Sequence, residues 1–181
     1  MQYPYVVCTA QKLRDPANLI RARWIRPEDL AVYEALGIER FKVVERFKTS
    51  DALTLAVDAY SSRRFDGNLL TLLTLPNRGS FVRPNLDYFN KPELIDMAVV
   101  ARVAELMEFS FADVVDIPNK ALDGFLDHFK KQDCRRTSCD ACGYCARVAA
   151  RVARVDREAA ERQAGRLTAF AQAIAGGEIF G

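Results

Sequence analysis

Apolar positions form short runs in the first half of the chain and helical stripes in the second. Tyr3 to Cys8 and Trp24-Ile25 are brief apolar runs that predict strands. Pro27, Glu28 and Asp29 predict a helix start, because proline suits the first turn and the acids face the positive end of the dipole. Leu30, Tyr33 and Leu36 mark one face of that helix, and Gly37 supplies a left-handed stop. A strand over 41–45 and a helix opening at Thr49 or Ser50 follow, the helix carrying Leu53, Ala56, Val57 and Tyr60 on one face. The turn Asp66-Gly67-Asn68 closes this βα unit.

After the apolar run 69–75, Pro76, Gly79 and Pro84 predict mostly loop. A buried helix is expected over 92–108, opened by Pro92-Glu93. Another over 119–131 places Leu122, Phe125, Leu126 and Phe129 on one face. A last helix over 143–175 repeats Val148, Val152, Val155, Leu167, Phe170 and Ile174 at helical spacing. Its arginines, from Arg147 to Arg166, alternate with Asp156, Glu158 and Glu161 as a solvated face. The expected organisation is α/β: an α/β segment over 1–90, then a helical region over 91–181.

At 181 residues, half of them hydrophobic and 28% charged, the chain suits one globular domain with a small appendage and not a disordered or collagen-like polymer. Its 26 basic and 24 acidic residues leave +2, too little for a general attraction to nucleic acid or anionic membranes. No apolar run is long enough to span a bilayer, and the first residues lack the sections of a signal peptide, so a cytoplasmic protein is expected.

In a reducing compartment five cysteines are poor material for disulfides, and four of them crowd into DCRRTSCDACGYC. Cys134, Cys139, Cys142 and Cys145 are separated by gaps of four, two and two residues, which lets four thiolates converge on one centre. Zinc sites usually present two separated pairs, whereas cysteines repeated at gaps of two around a glycine resemble ferredoxin-type loops. The favoured cofactor is therefore an iron–sulfur cluster of the 4Fe-4S kind, with zinc as the alternative. Cys142 and Cys145 fall at the first turn of the last expected helix, whose dipole favours an anionic site. Lys130, Lys131, Arg135 and Arg136 flank the loop; RNA contact is the lesser reading of them, since no aromatic residues interleave to stack bases. Cys8 is read as a small core residue, with cluster ligation as its sharper alternative. His128, the single histidine, lies off its helix's apolar stripe and is read as a surface residue, leaving little for a serine or cysteine triad.

The segment WIRPEDLAVYEALGIERFKVVERFKTSDALTLAVDAYSSRRFDGN resembles the U-thirty-two peptidase-like family. The matching residues are Pro27, Glu28, Asp29, Leu30, Gly37, Ile38, Phe41, Lys42, Glu45, Arg46, Ala59 and Tyr60. The resemblance implies a TIM-type barrel. Most members are called collagenase-like peptidases, and others look like iron–sulfur proteins supporting oxygen-independent hydroxylation of a quinone precursor or of RNA. Eight βα units need about 250 residues, and two or three strands are visible here. The resemblance therefore implies a partial barrel, completed by a partner chain or a missing N-terminal half. The family's cluster cysteines lie largely upstream, within the barrel, so the compact loop is not equated with them; Cys8 is the one position that could match. Lys42 and Arg46, at the C-terminal end of the expected strand, are the candidates for binding an anionic substrate, with Glu45 as a charge partner. The expectation is an iron–sulfur protein or subunit serving redox or hydroxylation chemistry. The alternatives are a zinc-stapled module binding RNA or a protein, or a peptidase as the family label suggests.

Overall fold

Val6, Ala10 and Leu13 recur at gaps of four and three, and all three are buried. That stripe, and not the local composition, decides the first element. In the computed structural model, which describes residues 3–22, 24–43, 48–73, 75 and 109–177, Tyr3–Arg14 is a helix, α1. It overturns the strand expected over 3–8. The β-branched Val6 and Val7 suit a strand, but so short a run has no period of its own and takes the conformation that packs.

Among the described residues the remaining helices are α2 (Ala17–Ile20), α3 (Leu30–Glu34, preceded by a 3₁₀ turn over Pro27–Asp29), α4 (Ser50–Ser62), α5 (Phe111–Val114), α6 (Cys139–Cys142), α7 (Tyr144–Val152) and α8 (Arg157–Ala175). Single 3₁₀ turns cover Leu69–Thr71, Asn119–Leu122 and Phe125–His128. Strands β1 (Val115–Asp116) and β2 (Arg154–Val155) form an antiparallel ladder pairing Val115 with Val155 and Asp116 with Arg154.

The largest interface is between α1 and α8, whose Val6, Ala10 and Leu13 and Ala160, Ala164, Leu167, Phe170 and Ala171 belong to one buried cluster. Small residues let the two helices approach closely. Arg14 fastens the rim through Glu161 at 3.2 Å and Thr168 at 3.1 Å. The helix expected over 143–175 is broken at β2, because Asp156 caps α8 by accepting from the Ala159 N–H at 2.9 Å and donates its own N–H to the Val114 carbonyl at 2.9 Å. Its arginines keep the expected solvated face, with Arg162 paired to Glu158 and Arg154 3.6 Å from Asp116.

Helix α4 begins as expected, with Thr49 Oγ1 accepting from the Ala52 N–H at 3.3 Å. Gly37 takes φ +85° as its stop position requires, but Leu36, expected on the apolar face, is 75% exposed. Trp24 and Ile25 are irregular and not a strand. Phe41, Lys42 and Val43 carry no ladder; positions 44 and 45 of the expected strand, and the helix expected over 92–108, lie outside the described residues. The helix expected over 119–131 is replaced by two 3₁₀ turns separated by Gly124 at φ +76°, which bury Leu122 and Phe125 without a continuous stripe.

Arg26, 2% exposed, joins distant parts of the chain. Its guanidinium donates to both Asp29 oxygens at 2.8 and 3.0 Å, to the Asn119 carbonyl at 2.8 Å and to Asp123 at 2.9 Å. Burial acts to lower its pKa, but the bonds and charges of Asp29 and Asp123 prevail and raise it. The Asn119 amide in turn donates to Glu28 and to the Phe65 carbonyl, each at 2.9 Å. Asn68 staples the same region by donating to the Val115 carbonyl at 2.8 Å and accepting from the Ile117 N–H at 3.1 Å. Arg26→Ala lowers the unfolding free energy by about 3 kcal/mol, since removing one partner strands buried polar groups. Lys120→Ala, which breaks an exposed, solvent-screened pair with Asp66, costs far less than Arg26→Ala. Urea titrations read by Trp24 fluorescence compare the two.

Candidate metal centre

Gly124 turns the chain into Phe125–His128, and the turn sets four rings in a column. Trp24 stacks on Phe125 at 5.4 Å between centroids, Phe125 on Tyr144 at 5.6 Å, and Tyr144 on His128 at 3.9 Å and 13°. Phe129 meets both Phe125 and Tyr144 edge-on. The Tyr144 hydroxyl donates to the Phe125 carbonyl at 3.1 Å, so the column cannot slide against the turn.

The cysteine loop closes on the end of this column. Asp133 accepts from the Arg135 backbone N–H at 2.9 Å and side chain at 3.1 Å, which holds its carboxyl below the usual carboxylate range. Gln132 bonds to Thr137. Ser138 caps α6 by accepting from the Ala141 N–H at 3.2 Å. Gly143, at φ +61°, ends α6 and opens α7; a Cβ there would stand 2.8 Å from the Arg147 guanidinium. The two-residue gaps therefore become a single turn of helix, a glycine reversal, and the first turn of α7.

Cys134 and Cys139 are exposed, Cys142 and Cys145 half-buried, and none forms a disulfide. Burial pushes the Cys145 thiol up, the Arg21 cation pulls it down, and the charges of Cys134, Cys139 and Cys142 push it up. Cys134, Cys139 and Cys142 thus each lie within electrostatic reach of Cys145. Even so, among the described residues no three His, Cys, Asp or Glu stand close enough together to hold one metal ion.

The closest polar contact of the loop thiols is with His128: Cys142 Sγ and His128 Nε2 are 3.3 Å apart, the imidazole tautomer deciding which donates. His128 is half-buried between Tyr144 and Phe129, not the surface residue its sequence position suggests. Arg21 and His128 are the two site residues that the spacing of the cysteines could not indicate. Of the basic residues flanking the loop, Lys130 pairs with Asp127 at 2.7 Å, and Arg135 and Arg136 both pair with Asp133. Cys8 is exposed on α1, not a core residue, and is not among the groups acting on Cys145. Lys42 is exposed and lines a separate cleft, and Arg46 lies outside the described residues.

Fold and site together define an α-rich unit that presents a loop of four thiols at the foot of an aromatic column. The chain is similar to the uncharacterized protease MJ1657 of Methanocaldococcus jannaschii, 27% identical over 153 residues, a match taking in 84% of this chain and 35% of that protein. It thus spans about a third of that relative's length. No family model matches the chain. No solved structure matches it. Among the described residues no helix is long and apolar enough to cross a membrane.

The reversal at Gly143 is the part of the loop least tolerant of change. Gly143→Ala is expected to cost about 1 kcal/mol, from the positive φ. Faster amide hydrogen exchange of Cys142 and Gly143, with the α1–α8 amides unchanged, is the measurement that checks it.

Proposed function

We propose that the loop is a metal centre holding an iron–sulfur cluster through Cys134, Cys139, Cys142 and Cys145, in the C-terminal part of a larger redox protein related to the U-thirty-two group. One observation supports this: four cysteines at gaps of four, two and two share one loop, in which Cys134, Cys139 and Cys142 each act electrostatically on Cys145. Sulfurs around one tetrahedral zinc are about 3.8 Å apart, given bonds of about 2.3 Å. A four-iron cubane takes one thiolate at each iron, so its ligands stand farther apart. The donor set fits such a cluster in number and kind. When bound, the cluster would accept and donate single electrons.

The chain's own residues would hold and tune it. The N–H groups of α7's first turn and the Arg21 cation favour negative charge at Cys145. Hydrogen bonding of His128 to the Cys142 sulfur would set the potential. An anionic substrate at Lys42 and Arg46, and a partner chain or N-terminal half completing a barrel, belong to the same proposal; that this chain spans about a third of the relative supports a larger assembly.

One observation favours zinc instead. A thiolate and an imidazole on the same zinc stand about 3.6 Å apart, from bonds of about 2.3 and 2.0 Å, and Cys142 and His128 are at 3.3 Å. Such a site would start from the Cys142–His128 pair and need other loop cysteines to close in on it, acting as a staple without redox chemistry.

Metal and acid-labile sulfide analysis of anaerobically purified chain separates the two. Iron with equimolar sulfide, lost in Cys139→Ala and Cys142→Ala but kept in His128→Ala, supports the cluster. One zinc per chain without sulfide, lost in His128→Ala, supports the staple and eliminates the cluster. The peptidase activity that the relative's name carries would need Cys142 free to act with His128. Hydrolysis of fluorescent casein by metal-free chain, abolished in Cys142→Ser, would favour that third reading over both.

A further inference from the structure

A cleft of about 630 Å³ lies apart from the thiol loop, between the 19–25 segment, the 38–43 segment and Leu72 to Leu75. Its volume is in the range of pockets for small organic molecules. The floor is apolar, with Leu19, Leu30 and Leu72 all buried. The Tyr60 hydroxyl, on one wall, is spent on the Ile25 carbonyl at 2.6 Å.

Among the described residues the charge lining the cleft is of one sign. Lys12, Arg40 and Lys42 line it, and among the described residues no aspartate or glutamate does. None of these three cations has an ion pair or hydrogen bond among the described residues. Arg14, Arg63, Lys120 and Lys130, by contrast, each have a carboxylate within 3.2 Å. Cations gathered without acids over an apolar floor focus a positive potential into the cleft and favour an anion there. An apolar body covers the floor while its charged end meets the rim.

We propose that this cleft is a binding site for a small organic anion, a carboxylate carried on an apolar or aromatic body, held by Lys12, Arg40 and Lys42. It deepens, and rests on, the anionic-substrate part of the proposed function at Lys42, but not on any metal in the loop. It extends the expectation for Lys42 from a strand-end charge to one of three cations around a defined pocket.

The chain has one tryptophan, and Trp24 lines the cleft with its indole N–H donating to the Leu19 carbonyl at 2.8 Å. The single indole N–H resonance in a proton–nitrogen correlation spectrum is therefore a local reporter. Titration of the full chain with naphthalene-2-carboxylate should shift that resonance saturably, and the isosteric naphthalene-2-carboxamide should bind at least about tenfold more weakly, one charge-assisted contact being worth about that much. Arg40→Gln and Lys42→Gln, both at exposed positions, should each weaken the carboxylate about five- to tenfold and leave the amide unaffected. Lys131→Gln, which removes the same charge at the thiol loop, should change neither. An unmoved indole resonance, equal affinity for acid and amide, or equal weakening by Lys131→Gln would overturn the proposal.

Discussion

A guanidinium keeps its charge at any ordinary pH and carries five donors, so burying one obliges the surrounding chain to bring acceptors to it. Arg26 imposes that obligation. Asp29, the Asn119 carbonyl and Asp123 answer it, which locks the 26–29 turn to the 119–123 turn across about half the sequence. The chain leaving that second turn has no freedom to drift before Gly124 reverses it. Consequently the rings of Phe125, His128 and Phe129, and the thiol loop beyond them, are set by a buried ionic knot at their base.

The column of Trp24, Phe125, Tyr144 and His128 gives the knot its reach. At one end Trp24 forms part of the cationic cleft; at the other His128 touches Cys142. Two chemically different surfaces, one gathering positive charge and one gathering thiols, are therefore the ends of a single packed stack. Rigid aromatic stacking of this kind holds side-chain positions with little rotamer freedom to lose. Movement at either end would be felt along the stack.

The periodic parts of the molecule were the legible ones. Thr49 and Ser50 announce α4 through a side-chain cap, Gly37 marks the stop after α3, and the cysteine spacing singles out the loop proposed as the site. What escaped were features decided by tertiary partners. Residues 3–8 read as a strand because Val6 and Val7 dominate a short window, and only the small face of α8 makes them helical. The apolar spacing from Leu122 to Phe129 is consistent with a helix, and Gly124 breaks it because Asn119 and Asp123 are committed to Arg26. Val155 looked like one more helical position until its pairing with Val115 is seen. Neither His128 nor Arg21 could be assigned to the loop from spacing, since both reach it through the fold.

X-ray absorption at the metal edge of the anaerobically purified chain tests the central claim most directly. A cluster held by the four loop cysteines gives a first shell of sulfur alone and a strong metal–metal scattering shell beyond it. A first shell of oxygen, or sulfur with nitrogen and no second metal, would contradict the account.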